Sequence, residues 1–468
     1  MAATKNKLKL SWSEFEAHKN DRESLWFAVN DKVYDVATWL NRHPGGDHVL
    51  LNIAGKDATD VVTNFHPPHV LKMMTAYHIG DIVATKEELT TKKKCQNAEF
   101  VKEMRDLNAF FHEKGWYKPH ASYFIGKSII TLCILAFGLW CTFHGKEIQN
   151  VYLQLLGGLT IGFYWQQSNF LGHDVGHSAV FTDKTLDLLY GVFVGPMSSG
   201  LSIQWWKHSH YTHHVMTNVY THDPDIQHLP VLAVTDKYFK GCDSKYWGFF
   251  IPFTELTRQL VSYQHLVYFP VMTVSRVNMH IQSVIHILTA KFCPNRLWDL
   301  GGTIFFWCWW TYTLSQLPTW GSLALFYYLS HFSVALIHVQ ICLSHFYMET
   351  FEDFKNQMTI HGDDFYTFQF KTTLDVKCEW YEDWIHGGLQ YQTAHHLYPR
   401  LPRHRLRQAT EMLAVIAAKH GVKYHAYHFV EANVLTLHHM YDVAMQARAG
   451  KMVPFEDTMI FQGANMIG

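Results

Sequence analysis

The alternation of apolar and polar positions divides the chain into three parts. Residues 1 to about 85 change character over short distances. In Trp26-Phe-Ala-Val-Asn-Asp-Lys-Val-Tyr-Asp35 two strand-like runs flank an Asn30-Asp31 turn, so this part predicts a compact domain of mixed strands and helices. Residues 86–118 gather charge (Lys86-Glu-Glu, Lys92-Lys-Lys, Lys102-Glu, Glu113-Lys), which predicts an exposed linker leading into a surface helix. From 119 to 468 long apolar stretches dominate. Segments near 121–143 and 151–171 have the length a helix needs to cross about 30 Å of hydrocarbon and are nearly uncharged; Lys127 is close enough to an end to snorkel. Two more, about 302–318 and 321–344, are separated by Pro318-Thr-Trp-Gly321, a turn suited to an antiparallel helix pair. Four crossings are expected. The stretch 248–290 carries Glu255, Arg258, Arg276 and several histidines, which predicts helices lying at the interface, with a fifth crossing as the alternative.

Composition supports contact with lipid, since 15% of residues are aromatic and 16 are Trp. A net charge of -1, with no basic run beyond Lys92, Lys93 and Lys94, gives no reason to expect nucleic acid. The eight cysteines form no CxxC pair and several sit in apolar stretches, so no disulfide framework is expected. Met1 to Leu10 carries charge but no apolar core segment, which argues against a cleaved secretory signal and for a first domain in the reducing cytosol.

Three histidine clusters stand out: His173-Asp-Val-Gly-His177, His210-Tyr-Thr-His213-His214 and Gln392-Thr-Ala-His395-His396. Helical residues three or four apart share a face and imidazole is the commonest transition-metal side-chain ligand, so each cluster can aim nitrogens at one point. Asp174 is placed to fix an imidazole tautomer, and Gln392, on the side of His395 and His396, offers a weaker oxygen ligand. His208 points away from its neighbours. Two crossings precede clusters one and two and two more precede cluster three, so all three face one side. His331, His338 and His345 recur at intervals of seven, stepping about 10 Å along a helix, so only His345 can approach that side. The others read as interior or cleft residues. Trp205-Trp206 and Phe306-Trp-Cys-Trp-Trp310 read as packing or interfacial anchors.

In the first domain, His43-Pro-Gly-Gly46 is followed by Gly55-Lys-Asp-Ala-Thr-Asp60 and Phe65-His66. Two histidines in turn contexts among apolar residues can ligate a haem iron from both faces. Residues 10–85 resemble the cytochrome b5 family. That resemblance implies His43 and His66 as axial ligands of a low-spin haem b that moves single electrons.

From about 115 to 445 the chain is similar to the membrane fatty-acyl desaturase and hydroxylase superfamily, and more narrowly to its front-end desaturases, which carry a fused cytochrome b5 domain and Gln at the start of the third box. The resemblance implies an α+β cytochrome b5-like haem domain followed by an all-α membrane domain with about four transmembrane helices and a cytosolic histidine-box cap. It implies two non-haem Fe ions held by His173, His177, His210, His213, His214, His395 and His396, with Gln392 and His345 as further ligands. Tyr211 and Ala394 depart from the family pattern, where Asn and Glu are common, and remove no ligand. The same resemblance implies an oxygen-dependent enzyme of the endoplasmic reticulum membrane, with a lipid substrate and an NADH-cytochrome b5 reductase as electron donor. The segments Trp205–His210, His222–Pro230, Gly387–Gln392 and Ala432–Leu437 look most like those of delta-8 sphingolipid long-chain-base desaturases. Front-end polyunsaturated acyl desaturases are the alternative. A lipid hydroxylase would share the cofactors but usually keeps His where Gln392 stands, and a non-catalytic electron carrier would need only His43 and His66.

Overall fold

The computed structural model describes residues 7–95, 97–352 and 363–450; the first six residues of the amino-terminal stretch discussed above lie outside these. The amino-terminal domain is built on a four-stranded sheet of β1 (Leu8–Leu10), β2 (Trp26–Val29), β3 (Lys32–Asp35) and β4 (His78–Ile82), in the order β1-β4-β3-β2. β1 runs parallel to β4 and the other pairs are antiparallel. The expected turn closes the β2–β3 hairpin: Asn30 and Asp31 both have positive φ, 49° and 58°, the geometry of the tightest hairpins. Helices α1 (His48–Ile53) and α2 (Thr59–Phe65) follow, flanked by His43 and His66.

Residues 86–118 are more ordered and more buried than their charge implies. Helix α3 (Ala98–Glu113) buries Phe100, Val101, Met104, Leu107 and Phe111 along one stripe, so it is amphipathic rather than an exposed tether. These side chains join a single core that runs from Phe27 and Val49 of the first domain to Phe365, Tyr366, Tyr398 and Leu413 of the second. Polar contacts fix the same junction. Arg105 clamps Asp60 at 2.7 and 2.9 Å, Asn108 donates to Asn64 at 2.7 Å, and Tyr398 donates to the Met104 carbonyl at 2.9 Å.

Beyond it the chain is mainly helical, with α4 (Ala121–Glu147), α5 (Val151–Gly176), α6 (Ile203–Met216), α7 (Gln264–Thr289), α8 (Arg296–Leu314), α9 (Trp320–Leu343), α10 (Gln392–Leu397), α11 (Arg403–Lys419) and α12 (Phe429–Ala449). Helices stand at all four expected crossings. Among the described residues two of them, α4 and α9, are long and apolar enough to span a bilayer. α5 has the length but spends positions on Gln154, Gln166 and Ser168, which are buried and bonded to backbone carbonyls of other segments. α8 begins with Arg296 and buries Asp299. Arg276 is not the outward-facing charge its place in α7 implied. It is fully buried, with its guanidinium 4.4 Å from the Trp165 ring centroid and donating to the Ser199 carbonyl.

α5 packs tightly between α4 and α9 because small residues let the backbones approach. A β-carbon at Gly162 would lie 1.9 Å from the Ser330 carbonyl oxygen, whereas one at Gly126 meets nothing within 4 Å. Gly162→Val should therefore cost about 1–3 kcal/mol or more by overpacking. It should lower the unfolding midpoint in detergent while Gly126→Ala leaves it unchanged; equal midpoints for all three proteins would contradict the α5–α9 contact.

Candidate metal centre

The three histidine clusters, separated in sequence, meet at one place. His173 lies in the last turn of α5 and His177 directly follows that helix; α6 carries His210, His213 and His214; α10 carries His395 and His396; His345 follows α9. α6 starts where Ser202 accepts a hydrogen bond from the Trp205 N–H at 3.0 Å and donates to Asp299, a cap that sets the helix end on α8.

The rings sort into two groups. His173, His177, His210 and His395 form one and His213, His345 and His396 the other, and within each group one nitrogen from every ring lies within 4.8 Å of the others. His214 sits between them, its Nε2 2.9 Å from His210 Nε2 and its ring stacked on His396 at 4.2 Å. The second group is oriented through Nδ1. His213 donates to Asp223 at 2.9 Å, His345 to the Thr372 carbonyl at 3.0 Å, and His396 to Gln369 Oε1 at 3.1 Å, which leaves each Nε2 facing the centre. His173 Nε2, both nitrogens of His177, His214 Nδ1, His395 Nε2, His396 Nε2 and Gln392 Oε1 are buried without a hydrogen-bond partner. So many unpaired polar atoms in one buried place fit a metal far better than a protein core.

Electrostatics agree. Burial, then the neighbouring imidazoles, hold His210, His214, His395 and His396 well below the usual histidine pKa, so they are neutral, the form that binds metal. His213 is the exception: burial opposes its charge, but Asp223 and Asp225 outweigh it and raise its pKa.

Some expectations are corrected. Asp174 fixes no imidazole; its carboxylate is bonded by Arg403, which also donates to the Phe170 carbonyl. Trp206 is packing, as expected, but its partners are the metal-site rings: it stacks on His210 at 4.3 Å and meets His173 and His177 edge-on. His208 stays outside both groups, 3.6 Å from Asp47 and beside His48 of the first domain, so it is an interdomain contact. His331 and His338 are interior, donating to the Tyr327 and Met272 carbonyls. Asp223 and Gln369 carried no signal of their roles in the sequence, because each acts only through an imidazole brought to it by the fold.

In the first domain the His43 and His66 rings face each other with centroids 6.0 Å apart. Two imidazoles on opposite faces of one ion at about 2.0–2.1 Å require nearly that separation. His43 Nδ1 donates to the Gly46 carbonyl at 3.0 Å and His66 Nδ1 to the Val62 carbonyl at 3.1 Å, so both Nε2 atoms are free for iron. Gly46, with φ +88°, makes the turn; a β-carbon there would meet His208 at 2.5 Å. Burial lowers the pKa of His43 and holds that of His66 at about 4.

A cavity of ≈ 1400 Å³ reaches the centre. Its walls include His173, His210, His213 and His345, the apolar Met272, Ile281, Ile337 and Ile341, and Arg22, Asp47 and His48 of the first domain. It exceeds the usual size of a small-molecule site and suits a long chain.

A two-histidine haem-type pocket seated on a centre of eight imidazoles is the arrangement of a redox metalloenzyme. Residues 150–428 match the fatty acid desaturase family and residues 11–83 the cytochrome b5-like haem/steroid binding domain. The chain belongs to the fatty acid desaturase family, with a cytochrome b5-like domain fused ahead of the desaturase domain. It is 34% identical to the Delta(8)-fatty-acid desaturase 2 of Arabidopsis thaliana over 95% of this chain and 96% of that protein. It is also 34% identical to the Acyl-lipid (9-3)-desaturase of Borago officinalis (91% of each) and 28% identical to the Delta 8-(E)-sphingolipid desaturase of Emericella nidulans (90% and 91%).

Asp223→Asn keeps the shape of the acceptor but removes the charge that holds His213. It should weaken metal retention by about 10–100-fold, read as iron content after dialysis against a graded chelator. Unchanged retention would show that Asp223 does not tune the site.

Proposed function

We propose that the chain introduces a carbon-carbon double bond at the delta-8 position of a sphingoid long-chain base. Two iron ions would be held by His173, His177, His210, His395, His213, His345, His396 and His214, with Gln392 as an oxygen ligand, and a haem b by His43 and His66. The observation that carries the reading is the meeting of unpaired, buried imidazoles with a cavity long enough for a lipid chain.

When bound, the iron pair supplies with dioxygen an oxidant strong enough for an unactivated methylene. The protein does the rest. Asp223, Gln369 and the Thr372 carbonyl hold three imidazoles by their Nδ1 protons, so every Nε2 points inward. Apolar walls from α7 and α9 align the chain and exclude water from the reacting carbons. Overall, the lipid loses two hydrogens, and with two electrons and two protons dioxygen becomes two waters.

The electrons come from an NADH-cytochrome b5 reductase through the haem domain. α4, α5, α8 and α9 cross the endoplasmic reticulum membrane, leaving the haem domain and the metal centre together on the cytosolic side; their shared core supports one side for both. The delta-8 position rests on the relatives named for it, and the choice of a sphingoid base on the Delta 8-(E)-sphingolipid desaturase and on the segment His222–Pro230, much of which lines the cavity. The equal identity to an acyl-lipid desaturase favours a second reading, a front-end acyl substrate.

Expression in yeast with profiling of both sphingoid bases and fatty acids decides between them. A delta-8 unsaturated sphingoid base is expected, lost in His213→Ala and in His43→Ala. A new double bond confined to acyl chains would establish the second reading. Hydroxylated product, or retained activity in either variant, would contradict the assigned chemistry.

A further inference from the structure

Between the two candidate redox sites stands one aromatic ring. Phe65 is the residue immediately before His66, and its ring meets that of His214 edge-on, with centroids 5.9 Å apart and planes at 84°. His214 is in ring contact with both metal groups: His177, His210 and His395 at 4.8, 4.5 and 4.6 Å on one side, and His396 at 4.2 Å on the other. The other approach is Gly45, two residues from His43, where a β-carbon would lie 3.5 Å from the Tyr211 ring. Tyr211 meets His177 at 5.3 Å and is tied to the Gly176 carbonyl at 2.9 Å, so its ring leads into the first group alone.

We propose that Phe65 is a positioning residue that bridges the haem to the iron pair, with electrons entering at His214. This rests on the reading of these histidines as haem and iron ligands. Each transfer oxidises one ferrous haem to ferric and reduces one ferric iron of the pair to ferrous. No bond forms or breaks, and two transfers supply the two electrons that each desaturation consumes. Electron tunnelling weakens steeply across empty gaps, so a ring covalently next to one ligand and packed on another offers the shorter coupling. Because His214 touches both groups, a single entry point serves both irons.

The junction is built to hold that ring in place. Phe65 packs on Phe365 at 6.1 Å, α2 is pinned by the Asn64–Asn108 and Asp60–Arg105 bonds, and Tyr366 donates to Asp60 at 3.2 Å. The haem domain is therefore docked on the catalytic domain rather than merely tethered to it.

The test uses the full-length holoprotein with its haem reduced anaerobically, then mixed with oxygen and lipid while haem absorbance follows reoxidation. Phe65→Leu keeps an apolar side chain and removes the ring. It should slow reoxidation by about tenfold or more, with haem spectrum, haem potential and iron content unchanged, and Phe65→Trp should restore the rate. If the leucine variant loses haem, Phe65→Met carries the same expectation. Phe110→Leu removes a ring packed on Phe111 and Trp116 of the same junction without touching Phe65 and should reoxidise as the unmodified protein does. Wild-type reoxidation in Phe65→Leu, or equal slowing in Phe65→Leu and Phe110→Leu, would overturn the bridge. Failure of the underlying reading would look different: the unmodified chain would lack a haem spectrum or hold no iron beyond that of the haem.

Discussion

Burial of imidazoles whose nitrogens find no protein partner is the constraint on which the rest of this molecule depends. A neutral imidazole has one acceptor nitrogen, and leaving it unsatisfied in a dry interior costs on the order of 1–3 kcal/mol. Five such imidazoles, one of them with both nitrogens unpaired, and one amide oxygen are concentrated here in a single region. The chain tolerates this because its other polar atoms are spent on orientation. Asp223, Gln369 and the Thr372 carbonyl take the Nδ1 protons of the second group, and the carbonyls of Gly46 in its turn and Val62 in α2 take those of His43 and His66. Fixing one ring nitrogen in each case presents the other.

The same economy explains the junction between the domains. The sheet domain does not hang from a flexible linker; α3 inserts a row of apolar side chains that makes its core and the core of the catalytic domain continuous. Residues of that domain also line the cavity that reaches the metal centre. Domain docking, the contact of Phe65 with His214 and part of the cavity wall are thereby set by one interface.

Much of the clustering was legible because it is local: His173 and His177, and His210, His213 and His214, stand three or four apart on a helix face, and Gln392 precedes His395 and His396 by the same spacing, which needs no tertiary information to be noticed. The Asn30-Asp31 turn was legible for a similar local reason. The spacing of His331, His338 and His345 picked out His345 as the one able to approach the clusters, and resemblance alone offered it as a ligand; the structure brings it to His213 and His396. Asp174 was misjudged because its partner, Arg403, lies 229 residues away and no spacing rule reaches that far. Arg276 counted towards the interfacial reading of 248–290 because the ring that shields it, Trp165, is brought to it only by the fold. The 86–118 stretch was read by its charges, although Phe100, Met104, Leu107 and Phe111 already marked a buried helix face. Two of the four expected crossings are apolar enough by composition alone; α5 and α8 spend polar residues on contacts with neighbouring segments.

The central claim is that the two histidine groups are metal sites beside a haem. Iron-edge anomalous diffraction from crystals of the full-length protein tests it most directly. The account predicts three iron peaks: one among His173, His177, His210 and His395, one among His213, His345 and His396, and one between His43 and His66. A single peak between His43 and His66, with none at the histidine groups of the helical domain, would contradict it.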